Sequence, residues 1–189
     1  MRRFARRPLL KRPVEPKQWF RQNSDVESDD PNDPVGTDIF APNTLALMAA
    51  QDFRVTVLRI KLVITGFTTQ VSNFAVAPFH WVCGVVVLGL DEVLPDPYMV
   101  TDADVQADWL GVWSDHSRCF RGADSAEVTQ QIEQSHFGFD LDVKAKRKLD
   151  ADQRIVFVAK ISDVLITGTS SPSLHLQYVS SVLWQRTLR

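Results

Sequence analysis

The chain has 189 residues, 44% of them hydrophobic and 23% charged, with a formal net charge of −2. That length suits one domain, or one domain with a tail, and the composition excludes wholesale disorder. Eight glycines and two cysteines exclude the collagen-like and disulfide-framework classes.

The charge is divided unevenly. Residues 1–21 hold Arg2, Arg3, Arg6, Arg7, Lys11, Arg12, Lys17 and Arg21 against Glu15 alone, a local charge of +7. The other 168 residues carry 13 basic and 22 acidic side chains, a charge of −9. Such asymmetry points to nucleic-acid or membrane contact. Pro8, Pro13 and Pro16 interrupt any regular helix in the basic stretch. It therefore reads as an extended or disordered arm whose cations follow a phosphate backbone by charge, without base readout. Two other readings stay open: a nuclear or mitochondrial targeting segment, and a solubilising tail without a ligand. Mitochondrial presequences are Ser-rich amphipathic helices, whereas no Ser precedes Ser24 here.

From Ser24 to Pro34 the charge reverses, with Asp25, Glu27, Asp29, Asp30 and Asp33 set among prolines, and the stretch reads as a linker. The expected organisation is a basic arm over 1–21, an acidic, Pro-rich lead-in over 22–50, and a folded domain over 51–189.

That domain reads as strands. Phe53, Val55 and Val57 alternate with polar residues, then Leu58, Ile60, Leu62 and Ile64 do so on the other parity. The switch predicts a bulge or a change of covered face near Val57–Leu58, with Gly66 closing the strand. Phe79 to Leu90 is almost wholly apolar, as in a strand covered on both faces, with Trp81 and Trp109 expected in the core. Val105–Trp113 is ambiguous, since Trp109 and Trp113 are four apart, and Gly122–Ser135 reads as a surface loop. Phe137, Phe139, Leu141, Val143 and Ala145 then alternate with polar residues. The polar turn Asp150–Gln153 and the apolar run Arg154–Ile161 complete what reads as a hairpin. A last strand runs from Leu174 to about Thr187. The whole predicts an all-β fold of about eight strands, an antiparallel sandwich of jelly-roll type.

Chemistry is sparse. No phosphate-binding glycine loop, nucleophile elbow or zinc-helix motif occurs. His80, His116, His136 and His175 are scattered, and His116 with Cys119 supplies at most two metal ligands. Asp140 and Asp142 share a strand face with Lys144, which favours ion pairing over acid–base catalysis. No catalytic residue, metal site or cofactor is expected. Cys83 and Cys119 read as free buried thiols. The longest apolar run, Val82 to Leu90, is far short of a bilayer-spanning helix, so no membrane partner is expected.

By strand parity Lys144, Lys146 and Lys148 share one face, with Arg147 opposite. They form either a basic patch or a solvated strand whose lysines deter edge pairing. Trp19, among the arginines, suits stacking on unpaired bases or packing under a neighbouring subunit.

Two stretches carry a family resemblance: Val55 to Leu62, reading VTVLRIKL, and Leu141 to Leu149, reading LDVKAKRKL, which leads into RIVFVA from Arg154. With the basic arm, they resemble the single-jelly-roll capsid proteins of small circular single-stranded DNA viruses that encode a replication initiator. The resemblance implies a homo-oligomeric icosahedral shell of sixty subunits (T=1 geometry). It also implies single-stranded nucleic acid as cargo, DNA in preference to RNA, held by the arm, and a location in the virion with assembly in the host nucleus. Sixty arms of +7 would neutralise about 420 phosphates. That is a fraction of a genome holding two genes, so bound cations and the Lys144–Lys148 patch would share the load. The alternative is a non-viral β-sandwich that binds nucleic acid or serves as a nuclear adaptor.

Overall fold

The structure is a computed structural model, and it describes residues 15–28, 33–42, 53–71, 80–99, 107–116, 130–133, 139–161 and 173–188. Ten strands are described: β1 (Gln18–Ser28), β2 (Val35–Phe40), β3 (Phe53–Val71), β4 (His80–Gly89), β5 (Asp108–His116), β6 (Gln130–Glu133), β7 (Phe139–Val143), β8 (Arg147–Leu149), β9 (Gln153–Ile161) and β10 (Ser173–Leu188). All pairings among them are antiparallel.

They form two sheets. Sheet I runs β1-β10-β3, and β6, β7 and β8 line the far side of β3 in succession; sheet II runs β2-β9-β4-β5. If β6–β8 are taken as one interrupted strand, each sheet has four. The chain then changes sheet after every strand but β4, which pairs with β5 in sheet II, and this is the wiring of a jelly roll, as the eight-strand reading expected.

Strand formation follows composition. The run RVTVLRIKLVIT in β3 is dense in Val, Ile and Thr, whose branched side chains suit a pleated surface. The parity switch in β3 is a bulge. Leu183 and Trp184 of β10 face Arg59 and Val57, so Leu58 is the extra residue, and Val55, Val57, Ile60, Leu62 and Ile64 all point inward. A second shift skips Thr65, which lets β3 continue past Gly66 to Val71 and not end there.

The inner faces close one core. Phe157 of β9 packs on Tyr178 of β10 with ring centroids 4.8 Å apart. Phe40 of β2 lies 5.8 Å from Phe20 and 6.1 Å from Trp184, joining both sheets at another point. Residues 82–88 of β4 are buried on both faces, as their unbroken apolar run required. Cys83, Val85 and Val87 face the core, while Val86 and Leu88 join Val156 and Val158 on the outside of sheet II. The described part of Val105–Trp113 is strand from Asp108 on, and a bulge at Leu110 sends Trp113 toward the core and Trp109 to the outer cluster; Val105 and Gln106 lie outside the described residues. Trp109 is thus half-buried outside the main core in which it was expected. The side chain of Trp81 lies outside the described residues, as does most of Gly122–Ser135, whose described part includes the strand β6.

Two further sequence expectations are overturned. Asp150–Gln153 does not close a hairpin: β7 and β8 pair with β3 in sheet I, whereas β9 pairs with β2 and β4 in sheet II. The turn carries the chain from one sheet to the other. Alternation identifies a strand and its buried face, but the partner is chosen across the whole fold. Nor is Ser24–Pro34 wholly a linker, because β1 pairs with β10 without a break through Ser28 and β2 begins at Val35. Phe20 and Val26 face inward on β1, and its acids are all on the outward parity.

Candidate nucleic-acid interface

The outer faces of the two sheets differ. Sheet II is capped by the segment 90–99, which ends in a 3-10 turn at Pro97–Met99. Leu94 packs with Ala107 and Trp109 over Val86, Leu88, Val156 and Val158. Two cations of β9 latch this cap. Arg154 donates to Gly89 O at 3.3 Å, Glu92 O at 3.2 Å and Asp38 Oδ1 at 3.0 Å. Lys160 pairs with Asp96 and lies 5.8 Å from the Tyr98 ring centroid.

Sheet I is uncapped by any described segment, and it collects cations. Lys144, Lys146 and Lys148 are exposed, while Leu141, Val143, Ala145 and Leu149 between them are buried. The parity reading of this stretch is therefore correct. Arg147, on the other parity, reaches across the sandwich to pair with Asp108 of β5. On the neighbouring β3, Arg54 and Lys61 are exposed and Arg59 half-buried, all on the outward parity. Arg21 of β1 is exposed and donates to Ser181 Oγ at 3.4 Å, and Lys17 is exposed just before β1. Six of the 13 basic residues beyond residue 21 thus lie on this one face.

Register sets the rows. Arg21, Ser181, Lys61 and Asp142 stand side by side across β1, β10, β3 and β7; Trp19, Leu183 and Arg59 form the next row. Trp19 is 53% exposed, the open aromatic that its place in the sequence suggested. Asp142 is an acid within the cationic half of the face, and Arg59 grips it through two nitrogens, with Nε to Oδ1 at 2.6 Å; the side chain of Asp140, on the same parity of β7, lies outside the described residues. That hydrogen bond lowers the Asp142 pKa against the desolvation that raises it, helped by the charges of Arg59, Lys61 and Lys144. Asp142 is thereby fixed as an ion-pair partner. Asp25 and Glu27 lie toward the other end of β1, so charge changes sign along the strands.

The ladder is interrupted where the cations concentrate. Val57 pairs with Arg147 and Ile60 with Val143, leaving the bulge Leu58–Arg59 opposite Lys144, Ala145 and Lys146 without a paired residue between them. Bulges re-aim side chains, and this one sits beside three of the basic groups.

Of the residues named from the sequence, Lys144, Lys146, Lys148, Lys17 and Arg21 are brought to one sheet, the last on a folded strand and not on the arm. Arg2, Arg3, Arg6, Arg7, Lys11 and Arg12 lie outside the described residues. Arg54, Arg59 and Lys61 were missed as site residues. Their parity was legible, but their adjacency to β7–β8 was not. His80 and His116 stand opposite each other in the β4–β5 ladder; Cys119 lies outside the described residues. No group of three His, Cys, Asp or Glu residues gathers among the described residues. Burial pushes the Cys83 thiol well above its ordinary pKa, which suits a packing role and not a nucleophile.

No protein-family model and no curated protein matches the sequence. Among solved structures, a chain of desmodium yellow mottle tymovirus is similar at 13% identity and a TM-score of 0.29, covering 94% of each chain. A chain of turnip yellow mosaic virus at 100 K is similar at 10% identity and a TM-score of 0.30, covering 93% of this chain and 97% of that one.

Proposed function

We propose that the protein is a viral shell subunit that self-assembles and packages single-stranded nucleic acid. The observation that carries this reading is the joining of a jelly-roll sandwich to an amino-terminal segment, residues 1–14, that carries six basic side chains and no acid. Jelly rolls serve viral capsids as well as lectins and cupins, and a strongly basic tail is the addition that a packaging role needs. Arg2, Arg3, Arg6, Arg7, Lys11 and Arg12 bind phosphates from the arm; Lys17, Arg21, Lys144, Lys146 and Lys148 do so from the folded body. The family resemblance supplies the finer reading: a sixty-subunit icosahedral shell, DNA in preference to RNA as cargo, and assembly in the host nucleus before release in the virion.

The test is expression of the full chain followed by negative-stain microscopy and nuclease digestion of the product. Closed particles with nuclease-protected nucleic acid are expected. A strictly monomeric, non-particulate protein over a range of pH and salt would overturn the reading. Replacing the six arm cations by Gln should leave shells with less nucleic acid; unchanged content removes the arm from the binding role. Protected DNA or RNA in the particles decides the cargo.

A further inference from the structure

We infer that the outer face of sheet I is the cargo-facing side of the subunit, and that a single strand crosses it from Trp19 to the lysines of the β7–β8 edge. The inference rests on the packaging reading for its ligand, and adds which face holds the strand and how.

Three observations support it. First, the two outer faces are chemically distinct: sheet II is dry beneath the 90–99 cap, with Arg154 and Lys160 already committed to Asp38 and Asp96. Those cations are not available to phosphate. On sheet I, Lys61, Lys144, Lys146 and Lys148 bond to no carboxylate among the described residues. Among the described residues, the cations not bonded to a carboxylate therefore gather on sheet I. Charge complementarity selects a polyanion as the occupant.

Second, the cations have an aromatic partner in register. Trp19, Leu183 and Arg59 form one row, and Arg21, Ser181 and Lys61 the next. From β1 to β7 is three inter-strand spacings, about 14 Å, which is the span of a few nucleotides. A broad sheet cannot enter a duplex groove, and an indole standing on it stacks only on an unpaired base. The surface thus suits a single strand. Third, the bulge at Leu58 faces the unladdered Lys144–Lys146 segment, which concentrates basic side chains where the ladder is broken.

The experiment measures fluorescence anisotropy of a labelled 20-nucleotide oligothymidylate and a 20-base-pair duplex over a salt series. It uses the full-length chain and three variants. A face variant carries Lys61→Gln, Lys144→Gln, Lys146→Gln and Lys148→Gln; an arm variant replaces the six arm cations by Gln; the third is Trp19→Ala. Matching circular dichroism and melting temperatures verify folding, and all four face positions are exposed.

The face variant should lower the slope of log affinity against log salt by about 3 for the single strand, at roughly 0.7 per lost phosphate contact. Trp19→Ala should leave that slope unchanged, weaken single-strand binding about 5- to 150-fold, and leave the duplex unaffected. An unchanged slope in the face variant, with a reduced slope in the arm variant, overturns this inference and leaves the packaging reading standing. No oligonucleotide binding by the parent chain overturns both. Equal loss of single-strand and duplex binding on Trp19→Ala overturns the stacking assignment. Binding of phosphatidylserine vesicles in place of oligonucleotide assigns the face to a membrane and overturns the inference as well.

Discussion

Gly84 sits in the middle of β4, on the outer side of sheet II, and its missing side chain is what lets Trp109 lie flat there. A Cβ at this position would meet Trp109 Cζ3 at 2.5 Å, Cε3 at 2.9 Å and the Gly111 carbonyl oxygen at 3.0 Å. Carbon pairs are at their best separation near 3.5–4.0 Å, so the ring would have to retreat by about 1 Å. It has little room, since it belongs to the cluster with Val86, Leu88, Val156 and Val158. Overpacking of this kind costs about 1–3 kcal/mol. Against that, Ala recovers about 0.5–1 kcal/mol of chain entropy that Gly loses in a strand. Gly84→Ala should therefore destabilise the protein by about 1–2 kcal/mol, and Gly84→Val by more. The decisive assay is a double-mutant cycle in urea with Trp109→Leu, under conditions that keep the chain unassembled. In the Trp109→Leu background the indole contacts are gone and the Gly111 carbonyl contact remains, so the cost of Gly84→Ala should fall by about 1 kcal/mol or more. An equal cost of Gly84→Ala in both backgrounds would refute the steric argument.

Three further outcomes follow from other contacts. Arg154→Lys keeps the charge but cannot serve Asp38, Gly89 O and Glu92 O together; it should cost about 1–2 kcal/mol and speed amide exchange around Gly89–Val93, read by mass spectrometry. Burial raises the Tyr178 hydroxyl to about 12, opposed by the hydroxyls of Thr37 and Ser24. Its stabilising effect is complete below the unfolded value near 10 and lost as pH rises toward 12, because only the unfolded chain ionises in that window. Denaturation midpoints should accordingly fall between pH 10 and 12 and stop doing so in Tyr178→Phe. Arg59→Gln removes the main cause of the lowered Asp142 pKa, so the carboxyl resonance of Asp142 should titrate at higher pH by NMR. An unmoved titration curve would mean that the Arg59 pair does not form in solution.

The sequence determined a great deal about individual strands. The change of parity at Val57–Leu58 marked a bulge, the unbroken apolar run in β4 marked a strand buried on both sides, and the alternation from Leu141 to Leu149 placed three lysines outward with Arg147 opposite. These are local consequences of a two-residue side-chain period against one core, so they survive translation from pattern to fold. The division into a +7 segment and a −9 remainder was also visible in composition.

What the tertiary structure decided was neighbourhood. The turn at Asp150–Gln153 looks alike whether it closes a hairpin or crosses between sheets, because the strands on both sides bury an apolar face either way. Only the assembled sandwich puts β7 and β8 beside β3, and so sets Lys61 and Arg59 next to Lys144. The same step turned an acidic remainder into a body with one cationic face: net charge is a sum along the chain, whereas a ligand meets the charges that folding gathers on one surface. β1 shows the reverse limit. Its acids read as a linker by composition, yet they lie on the outward side of a strand whose backbone pairs with β10 and whose inward residues Phe20 and Val26 pack on the core.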